Sequence, residues 1–211
     1  MDKKLMSSLI ENTLNIPISS IEDMRRTPGG MTNDSYFVTV NGEKYVVRIA
    51  GKGTDELIDR QSEMNNLIYG TEIGINPELI YFDIESGLKI TRKLESSKAL
   101  TPELAREGQI MQKIINLFQR LHYSKKPMTN RFDLFGLMGH YENLVQEVQP
   151  FMMEKIAHMK EHILALKKVY ETMEVIEVPC HIDTVPANIL VDKKDQLYLI
   201  DWEYSGMFDP M

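Results

Sequence analysis

The chain has 211 residues, 43% of them hydrophobic, a net charge of -7 and one cysteine. That apolar content supports a real core and excludes a disordered chain; the acidic balance excludes a basic nucleic-acid-binding face, and a lone thiol excludes an internal disulfide. No apolar run reaches the roughly 20 residues of a membrane span, and the start Met1-Asp2-Lys3-Lys4 lacks the apolar core of a secretory leader, so a soluble, cytoplasmic protein is expected.

In chain order, residues 2–14 place Leu5, Leu9 and Ile10 at helical spacing and halt before Pro17. Strands are predicted over residues 21–26, 35–40 and 45–50, with Pro28-Gly29-Gly30 and then Asn41-Gly42 as turns. The Asn-Gly pair is the strongest hairpin signal, because both residues tolerate the positive φ of a type I′ turn. A helix is expected over residues 55–69, then strands over 79–83 and 88–94. Beyond about Glu95 the pattern turns helical. Thr101-Pro102 is a helix start that should run to His122, burying Leu104, Met111, Ile114, Ile115, Phe118 and Leu121. A further helical region begins near Leu137, breaks at Pro150 and resumes over residues 151–175. Two strands, 189–191 and 197–200, close the pattern around a Lys-Lys-Asp turn, and the lone Cys180 reads as a small buried apolar residue. Residues 1–95 thus form a sheet-rich part with one helix, and residues 96–211 a helical part.

The chemistry concentrates near the end. His181-Ile182-Asp183 is followed by Asn188, and an apolar hairpin then delivers Asp201 within Leu199-Ile200-Asp201-Trp202-Glu203. H-x-D-x-x-x-x-N followed by a second Asp after a strand pair is the spacing of a phosphotransferase site. Asp183 is the candidate catalytic base that accepts the proton of a substrate hydroxyl. Asp201 and Asn188 are the candidate Mg²⁺ ligands, since this hard cation needs few protein oxygens once nucleotide phosphates are present. His181 reads as a pin for the loop backbone.

Upstream, Gly29-Gly30-Met31-Thr32-Asn33 can cover phosphates with backbone amides, although a plain Pro-Gly-Gly turn satisfies the same residues. On strand 45–50, Lys44, Val46 and Arg48 share one face. Arg48 stands where a kinase places its phosphate-pairing lysine, and Val46 where a small residue touches adenine. Glu63 is its natural carboxylate partner, with Glu56 as competitor.

These segments together resemble the bacterial choline kinases, within the choline/ethanolamine kinase and aminoglycoside phosphotransferase superfamily. The likeness rests on Gly29-Gly30-Met31-Thr32-Asn33, Tyr45-Val46-Val47-Arg48-Ile49, the Glu63 helix, Cys180-His181-Ile182-Asp183 with Asn188, and residues 199–206. The resemblance implies a two-lobed α+β kinase-like fold and ATP- and Mg²⁺-dependent phosphorylation of the choline hydroxyl. A kinase for ethanolamine, thiamine or an aminoglycoside, or a catalytically silent nucleotide-binding protein, stands as the alternative. Quaternary ammonium recognition relies on aromatic faces and nearby carboxylates, so Glu203, Tyr204 and Trp202 are expected on the acceptor side. Ile182 and Thr184 stand where the family often has Asn and Leu. The last residues, Asp209-Pro210-Met211, fall where relatives continue into further helices, so a truncated helical lobe and self-association through that end are expected.

Overall fold

A computed structural model of the protein describes residues 3–27, 33–51 and 53–210. Helix α1 (Lys3–Leu14) leads into an antiparallel meander of β1 (Ile21–Arg26), β2 (Asn33–Val40) and β3 (Glu43–Ala50). Asn41 and Gly42 turn β2 into β3 with φ of 50° and 77°, as the hairpin signal requires. The next helix, α2 (Arg60–Glu72), starts later than expected, after a separate short turn at Thr54–Glu56. The reason is local: the Asp59 carboxylate accepts the backbone N–H groups of Gln61 and Ser62 and caps the helix there.

Strands β4 (Leu79–Phe82) and β5 (Lys89–Arg92) complete a sheet of order β1-β2-β3-β5-β4. Because β5 lies against β3, Arg48 stands directly opposite Lys89, and Val46 opposite Thr91. One face of this sheet packs Val38, Tyr45, Val47 and Ile90 with Ile10 of α1. Alternation turns Val46, Arg48 and Lys89 to the other face.

After β6 (Lys98–Ala99), the helix expected as one piece is two, α3 (Pro102–Ala105) and α4 (Gly108–His122). The Thr101 hydroxyl caps α3 by accepting the N–H of Leu104 at 3.2 Å, but Glu107 is extended (φ -66°, ψ 130°) and restarts the helix at Gly108. The restart fixes the face of α4: Leu117 and Leu121 are buried, whereas Met111 and Ile115, expected inside, are exposed. Helices α5 (Leu134–Val148) and α6 (Met152–Tyr170) follow, separated around Pro150. The end of the chain is woven from β7 (Val178–Cys180), β8 (Ile189–Val191), β9 (Leu197–Leu199) and β10 (Gly206–Phe208). β10 pairs with β7, and β6 joins the β8–β9 hairpin.

A second core joins the two parts of the chain. Leu67 and Ile75, from and after α2, pack with Leu117 and Leu121 of α4, Leu199 of β9, and Trp202. Each such side chain contributes about 1.5–3 kcal/mol on burial. Trp202 lies against Gly70, where a Cβ would come within 2.5 Å of the indole, so only glycine permits this approach. Among the described residues, no helix is long and apolar enough to cross a membrane.

Candidate active site

The loop between β7 and β8 is built around a buried histidine. His181 is fully buried, and its Nε2–H donates to the Ile200 carbonyl at 2.9 Å, so this loop is tied to the strand that delivers Asp201. Burial holds its imidazole below the ordinary histidine range, which keeps it neutral. Its ring meets Trp202 edge to face at 4.9 Å. The pin expected at this position is what the structure shows. From there the backbone turns sharply: Asp183 N–H donates to the His181 carbonyl at 2.9 Å, and Ile182 between them is forced to φ 68°. That tight turn projects Asp183.

Asn188 then returns to the same loop. Its amide N–H group donates to Asp183 Oδ2 at 2.8 Å and to the Asp183 carbonyl at 3.1 Å, which leaves the amide oxygen as its acceptor end. The Ile200 N–H donates to the Asn188 carbonyl at 2.9 Å, so Asn188 stands beside the residue that precedes Asp201. Asp201 has φ 69° and keeps 38% of its side chain exposed. Asp183, Asn188 and Asp201 are thus brought to one place by two main-chain hydrogen bonds and by the side chains of His181 and Asn188.

Across from this loop lies a cluster of opposite charges. Arg48 Nη2 pairs with Glu63 Oε1, while its Nη1 reaches Glu203 at 2.6 Å and Asp201 at 3.3 Å. Glu63 is fully buried and also accepts from Arg60 at 2.9 Å and from Lys89 at 3.3 Å. Burial pushes the Glu63 carboxyl up, but Lys89, Arg48 and Arg60 together outweigh it and hold it below the ordinary range. Glu203 is pushed up, first by burial and then by the Asp201 charge. Lys89 is lowered, mainly by burial and then by Arg48.

Of the residues expected from the sequence, Arg48 and Glu63 form the ion pair, and Glu56 lies exposed in its own turn. Asn33, at the start of β2, donates to Glu203 at 3.1 Å. Val46 shares the Arg48 face. Gly29, Gly30, Met31 and Thr32 lie outside the described residues. Trp202 requires correction as an acceptor contact: it is 0% exposed and its Nε1–H is spent on Asn76 at 3.0 Å, so it is core. Glu203 is corrected in part, since its Oε1 is turned to Arg48 and Asn33. Tyr204 hydrogen-bonds Tyr141 through the hydroxyls at 3.0 Å and is pushed up by burial. With Glu203, Asp59, Phe132, Asp133 and His140 it lines a cavity of about 240 Å³.

Lys89 and Arg60 were not foreseen. Both are charged, and neither carries a motif; only the register of β5 against β3 and the approach of α2 bring them to the site. No group of three or more His, Cys, Asp or Glu that could hold a metal occurs among the described residues. The oxygens of Asp201 and Asn188 are hard donors, one anionic and one neutral, a pair that fits Mg²⁺ completed by phosphate and water.

A family model described as choline/ethanolamine kinase matches residues 24–209. Protein LicA of Haemophilus influenzae is 34% identical over 201 residues, which cover 93% of this chain and 56% of that protein. The crystal structure of choline kinase LicA from Streptococcus pneumoniae superposes with a TM-score of 0.83 at 32% identity, covering 99% of this chain and 70% of that one. A structure of LicA in complex with AMP superposes with a TM-score of 0.79 at 32% identity, covering 98% and 70%. The chain therefore spans a little over half the length of the first of these relatives, and its α+β fold is that of the protein-kinase-like phosphotransferases. By its sequence and by its fold, this chain belongs to the choline/ethanolamine kinase family.

Proposed function

We propose that the protein is an ATP-dependent kinase that phosphorylates the hydroxyl of choline to phosphocholine. The observation that carries this reading is the hydrogen bond from Asn188 to Asp183, held next to Asp201 and beneath an Arg48 already paired with Glu63. In this reading Asp183 accepts the hydroxyl proton at a carboxylate oxygen, and Asn188 keeps that carboxylate aimed. Arg48, with its planar fork, engages phosphate while Glu63 fixes its position. Gly29, Gly30, Thr32, Asn33 and Val46 would contact the nucleotide. Asp201 and Asn188 would hold Mg²⁺, which when bound neutralises phosphate charge. Tyr204 offers an aromatic face on the acceptor side, with Glu203 contributing negative charge behind it.

Membership of the choline/ethanolamine kinase family and likeness to a solved choline kinase support choline as acceptor; a LicA complex with AMP supports an adenine nucleotide. Residues 1–95 are proposed as the nucleotide-binding lobe and residues 96–211 as the lobe carrying the catalytic loop, in a cytoplasmic enzyme. Self-association through the C-terminal part of the chain is proposed as well, where Val148, Phe151, Leu166, Val169 and Ile176 are among the exposed apolar side chains.

The test is ADP release measured with choline, ethanolamine, thiamine, an aminoglycoside and an uncharged alcohol of similar size. Choline should stimulate release most. Equal rates with the uncharged alcohol would remove the cation-recognising reading, and nucleotide binding without stimulated release would favour a silent nucleotide-binding protein.

A further inference from the structure

Asp201 stands at φ 69°, a left-handed conformation that a non-glycine residue keeps only where its surroundings hold it. On its upstream side the chain is tied by His181 Nε2–H to the Ile200 carbonyl and by Ile200 N–H to the Asn188 carbonyl. On its downstream side the chain is gripped at Ser205. The Ser205 carbonyl accepts two side-chain amides, from Asn66 of α2 at 2.7 Å and from Asn130, between α4 and α5, at 2.8 Å. The Ser205 hydroxyl donates to the His181 carbonyl at 3.1 Å, and its N–H to the Trp202 carbonyl at 3.2 Å. Ser205 and Asn66 are both buried. An amide oxygen turned toward a carbonyl would repel it, so Ser205 itself decides which end of each amide faces it.

Asn66 lies one turn beyond Glu63 on α2, and Glu63 is also buried. Through Glu63 the same helix holds Arg48, whose Nη1 reaches Asp201 and Glu203. The segment from Asp201 to Ser205 is therefore fastened to α2 at both ends. The ion pairs act on side chains. The amides act on the backbone, and they leave the Asp201 carboxylate, with 38% of its side chain exposed, able to meet a cation.

We propose that Asn66, assisted by Asn130, is a positioning residue that holds the backbone beyond Asp201, so that the Asp201 carboxylate is presented to a divalent cation arriving with the nucleotide. In this role both asparagines act through Ser205 and touch neither ion nor nucleotide. The inference rests on the nucleotide and metal reading above, and it adds two residues that no sequence motif marks.

The test is ADP affinity, measured by calorimetry on the whole chain with Mg²⁺ and again with EDTA in its place, for wild type, Asn66→Leu, Asn130→Leu and the double variant. Leucine matches asparagine in shape and has no donor. Each single variant leaves the Ser205 carbonyl one amide, so it should fold. Each should weaken Mg–ADP binding about threefold, and the double variant about thirtyfold, more than the product of the two, since only there does the carbonyl lose both partners. ADP affinity in EDTA should change less than about twofold in every variant. Equal losses with and without Mg²⁺ would show that the amides merely support the fold around the nucleotide and would overturn the proposal. Single effects that simply multiply, or wild-type Mg–ADP affinity in the double variant, would overturn it too, while leaving the nucleotide and metal reading intact. A wild type whose ADP affinity ignores Mg²⁺ would overturn that reading and this inference with it. Asn66→Asp is the second variant, nearly isosteric, with an acceptor in place of the donor. It should weaken Mg–ADP binding about tenfold and leave ADP binding in EDTA unchanged; unchanged Mg–ADP affinity would overturn the proposal. Should neither Asn66→Asp nor Asn66→Leu show a cooperative unfolding transition, Asn66 is a structural residue and the positioning role is lost.

Discussion

Asn188 donates its amide hydrogen to Oδ2 of Asp183 at 2.8 Å, across the five-residue interval that both share with the catalytic loops of kinases. The bond orients a carboxylate that the surrounding backbone cannot orient alone, because Asp183 follows the tight turn at Ile182. Asp183→Asn should lower choline-stimulated ADP release by roughly 10²–10⁴-fold, the usual worth of a general base. Mg–ADP affinity should stay near wild type. A variant with normal turnover would remove Asp183 from the chemistry.

Ile182 carries a conformation its side chain opposes. A β-branched residue at φ 68° is strained by about 1–2 kcal/mol, whereas asparagine is several-fold enriched at positive φ. Ile182→Asn should therefore raise the unfolding free energy by about 0.5–1 kcal/mol, seen as a higher urea midpoint at unchanged slope. A lower midpoint would show that the partly buried isobutyl-sized side chain matters more than the backbone.

Gly70 gives a prediction of opposite sign to the usual one. Alanine in place of a helical glycine ordinarily gains about 1 kcal/mol. Here the new methyl would come within 2.5 Å of the Trp202 indole, and overpacking costs about 1–3 kcal/mol. Gly70→Ala should be less stable than wild type. Trp202 is the only tryptophan, so a shift in its emission would report the displacement directly.

The buried His181 makes stability depend on pH. Its native value is depressed by burial below the unfolded value of about 6.5, so the native state binds fewer protons than the unfolded one. Its contribution is whole above that pH and is lost as pH falls toward the native value, at up to about 1.4 kcal/mol per unit. Urea unfolding at several values between about pH 7.5 and pH 5 should show the loss. His181→Asn should be less stable at neutral pH, with a flatter slope across this window; an unchanged slope would assign the pH dependence to other groups.

Much of this was legible in the residues because the signals were local. Asn41-Gly42 forces a hairpin whatever surrounds it, Thr101 caps a helix through its own hydroxyl, and Pro150 separates two helices. Elsewhere the reading slipped. The start of α2 moved to the Asp59 cap, the 101–122 helix divided at an extended Glu107, and Met111 and Ile115 turned outward as a consequence. The short strands β6, β7 and β10 have too few residues to show a period and exist only because distant segments pair with them.

The sequence by itself determined that Asp183 and Asn188 stand five residues apart with Asp201 beyond a strand pair, the spacing of a phosphotransferase loop. It could do so because chemistry that depends on one loop leaves its interval in the chain. Only the tertiary structure decided that Trp202 is core, that Glu203 faces Arg48, and that Lys89 and Arg60 share Glu63. Those assignments depend on strand register and helix approach, which bring together residues with no fixed separation along the chain, and burial then makes each charge depend on the partners it finds there.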